Sequence, residues 1–375
     1  MKRICIYVTY DFENIVDGYI GYMLQELRKS VDYLAVVCNY REIAKGIGNI
    51  RPYADKIYYR ENIGFDAGAY KDVLCRYIGW DAVCRYNEIL LVNDSFYGPL
   101  YSFENIFSAM EKEDADYWGL TRAPAGVLAD GFVYESHIQS YFMAFRQNLV
   151  KSQYFQKFWE NMEYAKTLTQ TVIHFEIGLN QYLAGLGYKS RALTDGYSFD
   201  RNEIPYMNHS FELINDMRIP AFKRTSLYLT NRGFGNALKA FSYIEDAGIY
   251  DAALIKEHLI RISRNENNQA MIDFMKLKAF LDDHSRIYFY GAGVYGQNLA
   301  KLFEYMGWKF AGFLVSKSED QADQCNVFNA IKLNREDGII ITVGSKKAFN
   351  EIMENVKEQY ADEQILCPIT YRVCK

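Results

Sequence analysis

From Arg3 to Val92 the chain alternates between apolar runs and segments in which apolar residues recur at helical spacing. The pattern predicts strands at Arg3–Thr9, Tyr33–Cys38, Lys56–Tyr59 and Glu88–Val92, and helices at Ile20–Lys29 and Ala69–Arg76. After Glu88 the fourth run is wholly apolar, which is typical of a strand covered on both faces in a parallel sheet. The alternation predicts an α/β domain of the kind that binds nucleotides.

The alternation changes after Pro99. Strands are predicted at Tyr117–Thr121 and Ser140–Phe145, followed by an aromatic-rich helix at Tyr154–Tyr164. A further helix is predicted to open at Glu176 and to end at Gly187, a typical helix stop. We expect this half to form the second wall of a ligand cleft.

The C-terminal third predicts a separate α/β unit. Only helical patterns occur between Leu227 and Asp283, whereas a strand at Arg286–Tyr290 leads into the glycine motif Gly291–Gly296 and a helix. Further strands at Lys309–Val315 and Gly338–Val343 complete a small Rossmann-like pattern. The predicted domains are therefore 1–225, a helical connector over 226–285, and a Rossmann-like accessory domain over 286–375.

Composition narrows the class of protein. A net charge of -5 argues against a nucleic-acid partner, because phosphate affinity needs a concentration of Lys and Arg. The seven cysteines are scattered without a CxxC pair, as expected for reduced thiols in the cytoplasm. No apolar run reaches the roughly 18 residues of a spanning helix, so any membrane association is expected to be peripheral.

A carboxylate follows the buried strand that ends at Val92. Asp94 stands between Asn93 and Ser95, at the strand end where ligands bind in open α/β sheets. Such hard oxygen ligands suit Mg²⁺ or Mn²⁺, which bind through one or two carboxylates and the substrate's phosphates. The alternative is an Asx turn or a cap made by Asp94 and Ser95.

A second polar cluster precedes a predicted helix. It contains Asn62, Gly64 and Asp66, and its glycine permits close approach of the backbone to a ligand. Because free N–H groups at a helix N-terminus favour anions, contact with a nucleotide is one interpretation. The other is that Asp66 is simply the helix N-cap.

Five ordered blocks resemble the rhamnan synthesis protein F family. They are NIGFDAGAYKD at Asn62–Asp72, YNEILLVNDSFYGPL at Tyr86–Leu100, DYWGLT at Asp116–Thr121, HIQSYFMAF at His137–Phe145, and FEIGLNQYLAGLGYKSRAL at Phe175–Leu193. The resemblance continues to IPAFKR at Ile219–Arg224. It implies a polysaccharide-assembly glycosyltransferase, in many members thought to be a rhamnosyltransferase, with a glycosyltransferase-A-like catalytic domain over 1–225.

The resemblance also implies roles for particular residues. Asn93, Asp94 and Ser95 stand where the broader glycosyltransferase-A pattern has an Asp-x-Asp metal motif, and Asn62 to Asp66 stands where that pattern has its nucleotide-contacting segment. Glu176 resembles the acid that begins the helix of the catalytic base, although Ile177 replaces the second acid there. Since Asp94 is the one carboxylate left in the metal motif, the resemblance leaves dependence on a divalent cation open.

Two roles have structural alternatives. An acid in a first helical turn, as predicted for Glu176, is stabilised by the helix dipole whether or not it does chemistry. His137 and Gln139 are candidates to bind the acceptor sugar or the diphosphate, but a lone histidine is more often structural.

The glycine motif Gly291–Gly296 also allows more than one interpretation. It follows a strand and opens a helix, but the acid that binds ribose is missing where the next strand ends in Ser316 and Lys317. This argues against an NAD-dependent oxidoreductase and favours a packing or dimerisation module, with a phosphate-bearing ligand at the start of the helix as the alternative.

The resemblance thus implies transfer of a sugar from a nucleoside diphosphate sugar to a glycan or lipid-linked glycan of a growing cell-surface polysaccharide, and by analogy it implies inversion. Homo-oligomerisation is left open. A non-catalytic binding or scaffold subunit of a polysaccharide-assembly complex is the alternative.

Overall fold

The computed structural model describes residues 1–40, 42–128, 131–200, 203–264, 271–316, 325–328 and 331–367. Contacts within the chain divide it into two units. The first unit comprises Met1–Arg224 and Tyr243–Leu254, and the second comprises Thr225–Ser242 and Ile255–Lys375. The domain boundaries given above stay a prediction.

The strands are β1 Arg3–Thr9, β2 Tyr33–Cys38, β3 Lys56–Tyr59, β4 Glu88–Asn93, β5 Phe96–Tyr97, β6 Tyr117–Gly119, β7 Arg122–Ala123, β8 Gly126–Val127, β9 Val133–Tyr134, β10 His137–Ile138, β11 Phe142–Arg146, β12 Ser190–Ala192, β13 Phe222–Lys223, β14 Arg286–Tyr290, β15 Gly312–Val315, β16 Cys325–Val327, β17 Asp337–Ile341 and β18 Ile365–Leu366. The α-helices are α1 Gly18–Arg28, α2 Phe65–Asp72, α3 Trp80–Val83, α4 Phe103–Met110, α5 Gln147–Val150, α6 Gln153–Asn161, α7 Leu168–Thr171, α8 Gly178–Gly185, α9 Pro205–Asn208, α10 Ser210–Asn215, α11 Phe234–Ala247, α12 Ala252–Ser263, α13 Phe274–Asp283, α14 Val294–Met306 and α15 Lys346–Lys357. Two π-helical segments, Val73–Tyr77 and Val172–Ile177, continue α2 and α7.

The first unit is built on a seven-stranded sheet in the order β12-β6-β11-β4-β1-β2-β3. Strands β1 to β4 are mutually parallel, and β11 runs antiparallel to both of its neighbours, β4 and β6. All seven residues of β1 are buried, as expected for a parallel strand between two layers. The pairing of β1 with β4 brings Val8 opposite Asn93, so the loops that follow both strands begin at one edge of the sheet.

One charged residue inside β1 is matched by acids. The guanidinium of Arg3 donates to Glu88 on β4 at 2.8 Å and also to Glu111, and Glu88 accepts from the Trp118 indole at 2.8 Å. Arg3 and Glu88 are buried, so each supplies the partner that a buried charge requires. This network lies at the start of β1, which leaves the carboxyl ends of the strands for other polar groups.

The second unit contains a five-stranded parallel sheet in the order β16-β15-β14-β17-β18. Numbered along the chain, this is the order 3-2-1-4-5 of a doubly wound sheet. The glycine motif connects β14 to α14, whose N-cap is Gly293. The structure therefore confirms the predicted α/β class and the second, C-terminal parallel sheet.

Three predicted elements need correction. Glu176 does not open a helix, because a continuous helical segment begins at Leu168 and reaches Gly185. Thr167 caps that segment by accepting from the Gln170 backbone N–H. The helix predicted from Ala69 begins earlier, at Phe65, and β18 adds a strand after the one predicted to be last.

Gly296 should be the least replaceable residue of the glycine motif. A Cβ there would lie 2.2 Å from the Gly291 carbonyl oxygen, so backbone atoms would have to move. We expect Gly296→Ala to destabilise α14 by about 1–3 kcal/mol, since such overpacking outweighs alanine's better helix propensity. Hydrogen–deuterium exchange of Val294–Met306 measures this loss. Gly344→Ala, which meets no atom within 4 Å, is the matched control, and equal protection in both variants would contradict the argument.

Candidate functional site

The carboxyl ends of β1 and β4 meet at Asp94. The residue is 7% exposed, and its Oδ2 atom accepts from the Thr9 hydroxyl at 2.9 Å and from the Tyr10 N–H at 3.0 Å. Burial raises the pKa of Asp94, and the Arg224 guanidinium, 3.8 Å from Oδ2, works against this shift. Asp94 is thus a buried carboxylate held by β1 and matched by a cation.

The residues beside Asp94 form a continuous network of hydrogen-bonded side chains. The Asn93 amide donates to Asp66 Oδ2 at 2.8 Å, and its oxygen accepts from the Ser95 hydroxyl. The Ser95 oxygen in turn accepts from the Lys223 ammonium at 2.6 Å. This network runs from Asp66 through Asn93 and Ser95 to Lys223, and it connects segments that are far apart in sequence.

This network of hydrogen bonds explains why positions 93 to 95 are Asn, Asp and Ser. A carboxylate at position 93 could not donate to Asp66, and it would place two like charges side by side in a buried site. Asn93 also accepts from the Ser95 backbone N–H at 3.2 Å, so the Asx turn here is made by Asn93 and not by Asp94. Asn93 and Ser95, the two residues that differ from the metal pattern, therefore both make hydrogen bonds within the protein.

The second predicted cluster lies on the other side of Asn93. The helix N-cap is Gly64, at φ 74°, and Asp66 lies in the first turn, so the N-cap interpretation of Asp66 is wrong. Asp66 Oδ1 accepts from the Ala67 N–H at 2.9 Å. Burial raises the pKa of Asp66, and the hydrogen bond from Asn93 lowers it in part. Asp66 therefore belongs to the same site as Asp94.

Asn62 is positioned by a second polar network. It accepts from the Asn39 amide at 3.0 Å, and Arg60 donates to Asn39 at 2.9 Å and to Asp72 at 2.8 Å. The same Asn39 amide donates to the Phe65 carbonyl at 3.2 Å. Phe65 has φ 57°, a left-handed conformation that is strained for an aromatic residue and therefore worth a functional hypothesis.

Glu176 lies in the π-helical segment Val172–Ile177 and faces β10. Its Oε2 atom accepts from the Ser140 N–H at 2.7 Å and from the Ser140 hydroxyl, and its Oε1 atom is 3.4 Å from His137 Nε2. Burial raises the pKa of Glu176, but the donors on His137 and Ser140 outweigh it and hold the pKa below its usual value. Since Glu176 is not in a first turn, this depression does not come from a helix dipole.

His137 and Gln139 are both buried, and their partners differ. The Nδ1 atom of His137 lies 3.0 Å from the Glu135 carbonyl oxygen and its Nε2 atom faces Glu176, so each ring nitrogen faces an oxygen acceptor. Gln139 instead accepts from the Thr121 hydroxyl at 2.7 Å. His137 thus belongs with Glu176, whereas the contacts of Gln139 support the local fold.

The sequence pattern missed two cations. Lys223 and Arg224 enter the site because the two-residue strand β13 pairs with β5, just beyond Ser95. Arg224 donates from its backbone to the Ser95 carbonyl at 3.1 Å and from its guanidinium to the Tyr19 hydroxyl at 2.6 Å. A basic pair at the end of the resemblance, in IPAFKR, was the available signal.

Metal ligands are sparse at this site. Within the described ranges no three His, Cys, Asp or Glu side chains are grouped as a metal cluster would require. Asp94 on its own fits the weaker pattern in which one carboxylate shares a divalent ion with substrate phosphates. Its Oδ2 already accepts two hydrogen bonds, so a metal role for Asp94 stays a prediction.

An α/β fold with carboxylates, amides and cations at its strand ends defines a class of nucleotide-binding enzymes. A sequence model of the family described as rhamnan synthesis protein F matches residues 34–361. The chain belongs to the rhamnan synthesis protein F family. The family predicted from the five sequence blocks is thereby confirmed, and the predicted class of polysaccharide-synthesis transferase agrees with it.

More distant similarities are weak. Virulence protein VirA of Vibrio anguillarum is 25% identical over 195 residues, which is 51% of this chain and 59% of that protein. The chain thus spans well under two thirds of the length of the curated relatives that it matches.

Among solved structures, a cytidylyltransferase from Leptospira borgpetersenii gives a TM-score of 0.32 at 13% identity, covering 54% of this chain and 78% of that one. The mannosyltransferase Ktr4p from S. cerevisiae in complex with GDP gives 0.24 at 10% identity, covering 42% and 60%. Similarity at this level carries no argument about the chain.

None of the helices in the described ranges combines the length and hydropathy that a membrane crossing requires.

Asn93→Asp should destabilise the first unit. The new carboxylate would lose its hydrogen bond to Asp66 and face a like charge, at a cost of about 2 kcal/mol or more. The loss should shrink on acidification, because one proton can then be shared by the two carboxylates. Urea unfolding at neutral and acidic pH measures both effects. Asn87→Asp is the control, because exposed Asn87 only accepts from the Lys2 N–H, and equal losses in both variants would refute the argument.

Proposed function

We propose that this chain is a glycosyltransferase that transfers a sugar, rhamnose by the family's description, from a nucleoside diphosphate sugar to a growing cell-surface polysaccharide. Family membership supports the class of reaction. The observation that carries the proposal is that Glu176, Asp66 and Asp94 all lie near enough to Lys223 to favour its charged form, so three acids and a cation share one region. A cytoplasmic location with peripheral membrane association, and a glycan or lipid-linked glycan as acceptor, belong to the same proposal.

Glycosyl transfer needs a base for the acceptor hydroxyl and positive charge for the leaving diphosphate. In an inverting displacement, the acceptor oxygen bonds to the anomeric carbon while the bond to the diphosphate oxygen breaks. The bonding pair leaves with the diphosphate, and the acceptor proton passes to Glu176. Asn62 and Asp66 would contact the nucleotide, and a divalent ion at Asp94 would neutralise part of the phosphate charge.

Glu176 has the state that this role requires. Its depressed pKa keeps it ionised at neutral pH, and its contacts with Ser140 and His137 fix the orientation of both oxygens. The proton taken from the acceptor would go to a carboxylate whose oxygens already accept hydrogen bonds from the protein. One of these hydrogen bonds would have to break. His137, beside Glu176, would contact the acceptor or the phosphate, and Gln139 would support that strand through Thr121.

The alternative is a non-catalytic binding subunit. It is favoured by the occupied oxygens of Asp94 and Glu176, each of which already accepts hydrogen bonds from the protein. The two functions differ in turnover, since a binding subunit would bind a sugar nucleotide without hydrolysing or transferring it.

Replacement of the proposed base should separate binding from chemistry. We expect Glu176→Gln to lower transfer or hydrolysis of the sugar nucleotide by about a hundredfold or more, with little change in donor affinity. A panel of nucleoside diphosphate sugars, followed by release of the nucleoside diphosphate, measures both. Glu104→Gln, which changes an exposed acid on helix α4, controls for loss of a surface acid. Full turnover in Glu176→Gln would exclude Glu176 as the base.

The pH dependence should follow the contacts of Glu176. Because its pKa is depressed, the carboxylate stays ionised as the pH falls to about 5, and the rate should not decline there through this group. Ser140→Ala removes one donor, so the pKa of Glu176 should rise and the acidic limb of the kcat/KM profile should move to higher pH. An unchanged acidic limb in Ser140→Ala would mean that another group controls it.

A further inference from the structure

Lys223 is a buried cation at the candidate site. The residue is 8% exposed, and among the described residues its ammonium makes one hydrogen bond, to the Ser95 hydroxyl at 2.6 Å. No carboxylate of the described residues forms an ion pair with it. An ammonium has three N–H donors, so the protein leaves most of its hydrogen-bonding capacity unused.

The remaining surroundings of Lys223 are aromatic. The ammonium lies 4.6 Å from the centre of the Tyr141 ring and 5.1 Å from that of Tyr206. Such contacts offset only part of the cost of burying a charge. Burial accordingly lowers the pKa of Lys223 to about 8, even though Glu176, Asp66 and Asp94 favour the charged form from further away.

A second cation adjoins Lys223 in sequence and faces the same strand end. The Arg224 guanidinium approaches Asp94 at 3.8 Å, and the backbone N–H of Arg224 donates to the Ser95 carbonyl. Lys223 therefore contacts Ser95, and the adjacent Arg224 contacts the neighbouring Asp94. Without a ligand they disfavour each other, as the lowering effect of Arg224 on the pKa of Lys223 shows.

We infer that Lys223, assisted by Arg224, binds the diphosphate of the donor directly and takes the place of the divalent ion that the proposed function puts at Asp94, so that the site binds a nucleoside diphosphate without a metal. The inference rests on the proposed function for its substrate class. An anion here would fill the unused donors of the ammonium and relieve the repulsion between the two cations. It would also supply the leaving-group stabilisation for which the motif Asn93 to Ser95 retains only one carboxylate.

The test is calorimetric titration of the full chain, in the presence of EDTA, with inorganic pyrophosphate, UDP, GDP and dTDP. Wild type should bind pyrophosphate and at least one of the nucleoside diphosphates. Lys223→Met should weaken this binding by about 30-fold or more, the usual range for a lost charge-assisted hydrogen bond. Lys189→Met, which removes an exposed lysine paired with Asp114, should bind like wild type.

The stability of Lys223→Met identifies a folding artefact. Since the folded pKa of Lys223 lies below the unfolded one, burial of this charge opposes folding below about pH 8, and the penalty fades as the pH rises towards 10.5. Lys223→Met should therefore be at least as stable as wild type at neutral pH, with an advantage that shrinks at higher pH. A large loss of stability would identify Lys223 as a structural residue and overturn the inference.

The pH dependence of binding gives an independent measure. The affinity for the nucleoside diphosphate should fall as the pH rises through about 8, where Lys223 loses its proton. Lys223→Arg should retain affinity and lose this dependence, because a guanidinium stays charged.

The outcomes separate the inference from the proposed function. Binding or turnover that appears only when Mg²⁺ or Mn²⁺ is added would overturn the role of Lys223 and leave the glycosyltransferase intact. Binding of pyrophosphate through Lys223, without turnover of any sugar nucleotide, would support the anion site and count against the enzyme. Absence of pyrophosphate and nucleoside diphosphate binding by wild type in EDTA would overturn the inference.

Discussion

One side-chain amide, that of Asn93, connects the parts of the candidate site. Its N–H group holds Asp66 at the start of α2, and its oxygen holds Ser95, which in turn accepts from Lys223 on β13. Only a side chain with both a donor and an acceptor can make these contacts at once. The parallel pairing of β1 with β4 fixes the position of Asn93, and the cluster around it follows from that position.

The carboxylates of the site have different electrostatic environments. Asp66 and Asp94 have raised pKa values because burial dominates, whereas donors on Ser140 and His137 depress the pKa of Glu176. Acids whose pKa values are shifted in opposite directions can serve different roles within one cleft. Lys223 on β13 and the adjacent Arg224 are of opposite charge to these acids, so the site contains both signs among buried or half-buried side chains.

Much of the fold could be predicted from the sequence because its central strands are continuous apolar runs. The bounds of β1, β2 and β3 match the predicted ones, and β4 extends one residue further. Asn93, Asp94 and Asp66 were also found, since they follow strand and helix signals directly. Lys223 was not, because β13 has two residues and pairs with β5 across more than a hundred positions, too short and too distant for any periodicity to show.

The π-helical segment around Glu176 has a consequence for comparisons within the family. Such a segment accommodates one more residue per turn than an α-helix. Each residue of an α-helix turns the side chain by about 100°, so one deletion in Val172–Ile177 would swing Glu176 away from Ser140 while the rest of the helix stayed in place. A relative with an uninterrupted α-helix there would carry the equivalent acid at a neighbouring alignment column. Superposition of the two structures would then identify the equivalent acid, whereas alignment of the two sequences would not.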